Sequence, residues 1–206
     1  MIDQYRFVVL GTGGSFTYQV LQTLIKQNVQ PVAYIQSGDA PPKVQSSFAD
    51  IELEINKPRG TLVQLLASKN IPVLFESPIE LHQQITTLKA DFLLVACWPT
   101  LLPDKVLNAV STAALNLHPS LLPEYRGVDP IGDQLLAEDY NFGITLHLLD
   151  GQFDKGDIVL QKSLNPGTPI NRKYITHLTA QMGAQLFIEA LSSYSTTGWT
   201  VIKQKK

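Results

Sequence analysis

The run Phe7-Val8-Val9-Leu10-Gly11-Thr12-Gly13-Gly14-Ser15 makes the first decision about this chain. A short apolar run ends in a glycine-rich turn. Phe16, Val20, Leu24 and Val29 then recur at helical spacing, with Leu21 and Ile25 beside them. Such recurrence marks one face of a helix, and the apolar run before it reads as a strand. Pro31 to Ile35 is apolar again, so the chain opens as strand, turn, helix, strand. Working outward, Thr61 to Lys69 reads as a helix, Ile71 to Phe75 as a strand, Leu81 to Leu88 as a helix and Asp91 to Cys97 as a strand. Strands that are apolar throughout, not alternately, are covered on both faces. With helices between them they predict a Rossmann-like, mostly parallel α/β sheet with helices on both faces.

Beyond the centre, Asp129 to Glu138 reads as helical, and Ile144 to Leu149 and Asp157 to Lys162 as strands flanking a loop. Arg172 to Ser192 is a helix with Ile175, Leu178, Met182, Leu186 and Ile188 as its apolar stripe, and Trp199 to Lys203 reads as a last strand. Gly38 to Gly60 is polar and holds Pro41-Pro42, which marks a surface loop with room for one short helix. There is no repeat and no linker, so residues 1–206 are expected to form one domain.

Hydrophobic residues make up 44% of the chain, enough for a full core. Charged residues are only 17% and the formal charge is -2, so no broad basic field offers itself to a nucleic-acid backbone. Lys203, Lys205 and Lys206 read as a solvated tail. The single cysteine, Cys97, excludes a disulfide framework and a four-cysteine zinc site, and its apolar neighbours suggest a buried small hydrophobe. No apolar run approaches the ~18 residues of a membrane span, which places the protein in the cytoplasm with no membrane partner.

Two segments hold the chemistry. Asn116-Leu117-His118-Pro119-Ser120-Leu121-Leu122-Pro123-Glu124-Tyr125-Arg126-Gly127 sets an amide and an imidazole two residues apart at the end of an apolar run. In a strand both point the same way, and the prolines then end that strand. Asp150-Gly151-Gln152-Phe153-Asp154-Lys155-Gly156 supplies loop carboxylates, though an Asx-rich turn is a sufficient reason for them. His147 shares its strand with Thr145 and Leu149 and reads equally as site-facing or structural, while His82 and His177 read as structural. His118, His147 and Asp154 lack the short ligand spacing of zinc motifs, so no metal is expected. Ser15 and Ser120 lack the elbow of a serine hydrolase. Gly11 to Ser15 misses the dinucleotide fingerprint at Phe16, and either contacts a phosphate or merely joins strand to helix.

The Asn116–Gly127 segment, followed by Gly143-Ile144-Thr145-Leu146-His147 and then Asp150–Ile158, resembles the signature of the folate-dependent formyltransferases, nearest to the catalytic half of the methionyl-tRNA formyltransferases. The resemblance implies the formyltransferase fold and transfer of a formyl group from 10-formyltetrahydrofolate, as co-substrate, to a primary amine. It places Asn116, His118 and Asp154 in the catalytic positions, with Ser120 and His147 in support. It places the folate along Trp98 to Pro103 and Leu148 to Asp154, with Trp98, Leu101, Leu148 and Asp150 singled out as contacts.

Departures from the pattern bear on the acceptor. The barrel that helps those relatives hold tRNA has no counterpart after Lys206, and Ser37-Gly38-Asp39-Ala40-Pro41-Pro42 stands where they carry a basic loop. Both disfavour tRNA, whose binding rests on backbone neutralisation. Val128-Asp129-Pro130-Ile131-Gly132-Asp133 is acidic where the tRNA enzymes have Ala-Ala-Pro-Ile-Asn-Trp, which would suit a cationic amine and discourage a phosphate. The expected acceptor is a small amine. Glycinamide ribonucleotide, an amino sugar and a compact tRNA enzyme are alternatives, as is a non-catalytic folate-binding protein. The oligomeric state is not legible.

Overall fold

A computed structural model describes residues 4–38, 57–76, 81–168 and 170–204. Its strands are β1 (Phe7–Gly11), β2 (Ala33–Gln36), β3 (Val73–Phe75), β4 (Phe92–Ala96), β5 (Ala113–His118), β6 (Gly143–Leu148) and β7 (Ile158–Ser163). The helices are α1 (Ser15–Lys26), α2 (Lys57–Ala67), α3 (Leu81–Leu88), α4 (Asp104–Leu107), α5 (Pro130–Leu136) and α6 (Arg172–Thr197). The strands form one sheet in the order β3-β2-β1-β4-β5-β6-β7. Pairings from β3 through β5 are parallel, and β5–β6 and β6–β7 are antiparallel. The expected mostly parallel α/β sheet is what forms, with an antiparallel edge.

Alternation along each strand explains the two-sided burial. Phe7, Val9, Phe92, Leu94, Leu115 and Leu117 face a core closed by α1, α2 and α6. Val8, Leu10, Leu93, Val95 and Ala114 face a second core closed by α3 and α4. Each fully buried Leu, Val or Phe contributes roughly 1.5–3 kcal/mol of transfer free energy, so the sheet is secured from both sides. Ala114, Asn116 and His118 share the second face, where apolar cover gives way to an open cleft.

Four elements depart most from the sequence reading. Helix α2 begins a turn earlier than Thr61, within the stretch read as loop, because Pro58 and Gly60 mask the helical pattern there; the rest of that loop reading, residues 39–56, lies outside the described residues. Helix α6 runs past Ser192 to Thr197. Its polar last turns hold because Ser192, Ser193, Ser195 and Thr196 donate to carbonyls three or four residues back, and Tyr194 packs on Trp199, Phe92 and Tyr5. The last strand shrinks to one bridge between Ile202 and Ile158, since Trp199 turns into that aromatic cluster and donates to the Ala190 carbonyl at 2.8 Å. Helix α4 spans one turn, too short for periodicity to reveal.

Candidate active site

Strand β5 carries Asn116 and His118 out on the face opposite Leu115 and Leu117, and Pro119 ends it. The turn that follows is tied down by buried polar groups. Thr145 Oγ1 accepts from Leu122 N–H at 3.1 Å and from Gln161 Nε2 at 2.8 Å, and donates to the Ser120 carbonyl at 2.6 Å. Ser120 Oγ donates to the Glu124 carbonyl at 2.7 Å. This turn brings the Tyr125 carbonyl to 2.8 Å from His118 Nε2. A carbonyl can only accept, so the network assigns a proton to Nε2 and leaves Nδ1 as the edge that titrates.

His147 lies beside Asn116 in the β5–β6 register and is wholly buried. Its Nδ1 donates to the Leu148 carbonyl at 2.8 Å, so Nε2 of the neutral ring accepts from Asn116 Nδ2 at 3.1 Å. The second amide hydrogen of Asn116 points more loosely at Asp154 Oδ1, 3.5 Å away. His147 therefore fixes which way the Asn116 amide faces.

Leu149 N–H still bonds to the Ala114 carbonyl, and the β6–β7 loop then doubles back over the sheet face to deliver Asp154. Asp154 Oδ1 lies 3.4 Å from His118 Nδ1 and 3.6 Å from His147 Nε2. Oδ2 accepts from Gly127 N–H at 3.0 Å. Burial alone raises the Asp154 pKa, but the two rings whenever they are protonated, together with the Gly127 N–H, more than offset it, and the carboxyl stays below its ordinary value. Gly127 and Asn116 donate whatever the charge on the rings, so the carboxylate is ionised at neutral pH. His118 moves down from 6.5: burial disfavours the imidazolium more than Asp154 and the Tyr125 carbonyl favour it. Asp154 does raise the His118 pKa, but desolvation outweighs its charge. The resting pair is a carboxylate beside a neutral ring whose bare Nδ1 faces it.

These groups form one wall of a cleft of about 390 Å³. The opposite wall is Val95 and the segment from Cys97 to Leu102, and Val128, Gln152 and Phe153 stand at the mouth. Val128 is 96% exposed, Phe153 54% and Leu101 45%, and together they make an apolar rim. No Lys or Arg lines the cleft among the described residues.

Asn116, His118 and Asp154 therefore converge, with His147 and Ser120 behind them. Trp98 and Leu101 line the cleft, but Leu148 and Asp150 do not. Leu148 points to the α6 side of the sheet by strand alternation, and Asp150 is turned outward, accepting from Gln152 N–H at 3.1 Å. Leu149, Gln152 and Phe153 hold the wall instead. Of Gly11 to Ser15 only Thr12 reaches the cleft. Cys97 is not a buried hydrophobe: the chain leaves β4 at a positive φ of 65° there and exposes it. Protein crowds the thiol on its other sides, and that desolvation pushes its pKa up to about 11. Asp129 does not offer itself to an amine either. It caps α5 through Gly132 N–H at 3.2 Å and holds Arg172 with two 2.8 Å contacts, which keep it below its ordinary pKa. Asp133 is exposed outside the cleft. His82 and His177 are half-buried on helices away from it.

Three contributors escaped the sequence reading. The Tyr125 carbonyl and Gly127 N–H are backbone groups without a side-chain signature, although the Gly127 terminus of the motif was a signal for the second. Gln204, which donates to the carbonyls of Asp154 and Gly156, lies far along the chain and left no signal. Among the described residues, no group of three His, Cys, Asp or Glu side chains is disposed to hold a metal, and no helix is long and apolar enough to cross a membrane.

Residues 5–191 match the formyl transferase family, and the chain belongs to that family. Methionyl-tRNA formyltransferase from Hahella chejuensis is 31% identical over 198 residues, which are 93% of this chain and 58% of the relative. The same-named protein from Carboxydothermus hydrogenoformans is 37% identical over 134 residues, which are 63% of this chain and 43% of that one. The chain thus spans about half the length of the curated relatives it matches. Phosphoribosylglycinamide formyltransferase from Bacillus halodurans superposes with a TM-score of 0.70 at 20% identity, covering 93% of this chain and 96% of its own. At these identities the structural likeness speaks for the fold.

Proposed function

We propose that the chain works as a single catalytic domain, in the cytoplasm, that transfers a formyl group from 10-formyltetrahydrofolate to a primary amine. The observation that carries this reading is the meeting of Asn116, His118 and Asp154 at one wall of the cleft, in a chain of the formyl transferase family. A cleft of about 390 Å³, largely apolar with a few convergent polar groups, suits a flat heteroaromatic donor. Trp98, Leu101, Leu149 and Phe153 would pack against it.

The chemistry follows from the hydrogen bonds. The neutral amine attacks the formyl carbon, an N–C bond forms, and the carbonyl π pair moves to oxygen. Asn116 has one firm bond to His147, which fixes the amide, and only a 3.5 Å approach to Asp154, so its second N–H is left to donate to the oxyanion. Loss of such a donor typically costs about 3 kcal/mol. The proton shed by the attacking nitrogen goes to His118 Nδ1, the bare acceptor, and the Asp154 carboxylate stabilises the imidazolium that results. Nε2 stays on the Tyr125 carbonyl throughout, which holds the ring still. When the carbon–N10 bond breaks, N10 takes that proton, giving a formamide and tetrahydrofolate. The protons balance without a covalent enzyme intermediate.

For the acceptor, the absence of Lys and Arg from the described cleft lining favours a small amine over one that must bring a phosphate into the cleft. Release of tetrahydrofolate from 10-formyltetrahydrofolate, screened against small amines, glycinamide ribonucleotide, nucleotide-linked amino sugars and charged initiator tRNA, tests this. Turnover with a small amine is expected. Tight folate binding with no turnover on any acceptor would make the protein a folate-binding module instead.

A further inference from the structure

Asp154 sits at a φ of 52°, a conformation that a non-glycine residue keeps only where its surroundings over-determine it. Its carboxylate is held by Gly127 N–H, and its own carbonyl is held from the far side. Gln204 Nε2 donates to the Asp154 carbonyl at 3.0 Å and to the Gly156 carbonyl at 2.7 Å. Gln204 Oε1 accepts from Arg126 at 2.7 Å. One side chain therefore joins the loop bearing Asp154 to the residue before Gly127, closing a ring of contacts around the carboxylate. The amide can stand only this way round, because its oxygen would otherwise face two carbonyls and its N–H groups a guanidinium. The Ile202–Ile158 bridge and the Trp199–Ala190 bond place the segment that carries it. Gln204 does not line the cleft.

We propose that Gln204 is a positioning residue, which sets the Asp154 carboxylate against His118 and Asn116 by tying the Asp154–Gly156 backbone to the Arg126–Gly127 turn. Only the kinetic consequence rests on the formyl-transfer reading; the placement of the carboxylate does not. Gln204→Glu separates the two ties. It keeps an acceptor for Arg126 but sets a carboxylate oxygen against the carbonyls of Asp154 and Gly156, so the loop moves off while the tail stays anchored.

The test is the NMR titration of the His118 imidazole in the free, full chain, alongside its melting temperature, in wild type and Gln204→Glu. The ring is faced by Asp154, the His147 ring and the Tyr125 carbonyl, and of these Asp154 alone carries negative charge. Displacing it lowers the His118 midpoint while the melting temperature holds. With an acceptor in hand, kcat falls about tenfold to a hundredfold while the donor KM changes less than about twofold, the scale expected of a slightly misplaced catalytic group. An unchanged His118 titration in folded Gln204→Glu, with or without a lower melting temperature, overturns the proposal. Should Gln204→Glu fail to fold, Gln204→Met, which keeps the length without the polar ends, is titrated instead, and failure of both to fold overturns it as well. If no acceptor is ever turned over, the His118 titration still decides about Gln204, so the two readings fail separately.

Discussion

Two glycine-containing loops flank the same cleft, and they are built differently. The turn from Gly11 to Ser15 joins β1 to α1 and is held by packing against the neighbouring strand β4. Thr17 Oγ1 donates to the Ala96 carbonyl at 2.7 Å, and Gly11 is glycine because a Cβ there would meet that hydroxyl and lie 2.8 Å from the Ala96 oxygen. The loop from Asp150 to Gly156 is satisfied from afar: Asn116, His118, Gly127, His147 and Gln204 all reach it. Gly156 is also a packing glycine, since a Cβ there would strike the Leu148 carbonyl, but that carbonyl orients His147. One loop packs, and the other packs and is wired to the chemistry.

The largest effect that would sharpen this contrast is on Asp154. Asp154→Asn should lower turnover by about 10²–10⁴, the usual worth of a positioned acid-base group, with the fold intact by circular dichroism; turnover within a factor of a few of wild type would remove Asp154 from the mechanism. Next comes Gly156→Ala, which should cost roughly 3 kcal/mol in denaturant unfolding and depress turnover in what remains folded, because His147 and then Asn116 shift with Leu148. Gly11→Ala should cost about 1–3 kcal/mol through overpacking but leave the turnover of folded protein close to wild type. Equal catalytic losses from the two glycine variants would break the comparison.

A smaller effect is on pH. The folded His118 lies below its ordinary 6.5, so between those two values the unfolded chain binds more protons and stability falls as pH falls. Asp154 adds a second loss on acidification, present above 3.8 and lost as pH drops through its depressed folded value. Thermal melts from about pH 8 to about pH 5 should therefore decline less steeply for His118→Asn than for wild type. An identical slope would remove His118 as the source. Smallest is Cys97, whose thiol, raised to about 11, should alkylate far more slowly near neutral pH than a free thiol despite its exposure. A folate analogue seated in the cleft should slow it further; rapid, unprotected alkylation would place the donor elsewhere.

The order of strands and helices was legible because burial on both faces writes itself as uninterrupted apolar runs, as in Phe7 to Leu10 and Phe92 to Ala96. Asn116 and His118 were legible together because a strand puts alternate residues on one face. Cys97 misled because its apolar neighbours belong to β4 while the residue itself has already left the sheet. Leu148 misled for the opposite reason: it is still in the strand and takes the far face, and the cleft passes to Leu149. Asp129 carried the right charge for an amine, but Arg172, far along the chain, had already neutralised it.

Periodicity, turn chemistry and two short motifs are local properties; from them came the α/β class, the sheet's covering and the pairing of Asn116 with His118, while the family resemblance those motifs carry singled out Asp154. What only the folded chain decided is non-local: which tautomers His118 and His147 take, that burial outweighs the neighbouring charge at His118, and that Gln204 reaches back to hold the Asp154 loop. Those depend on hydrogen-bond partners and desolvation. Both arise when segments distant in sequence are brought within a few ångströms, a fact that no residue carries by itself.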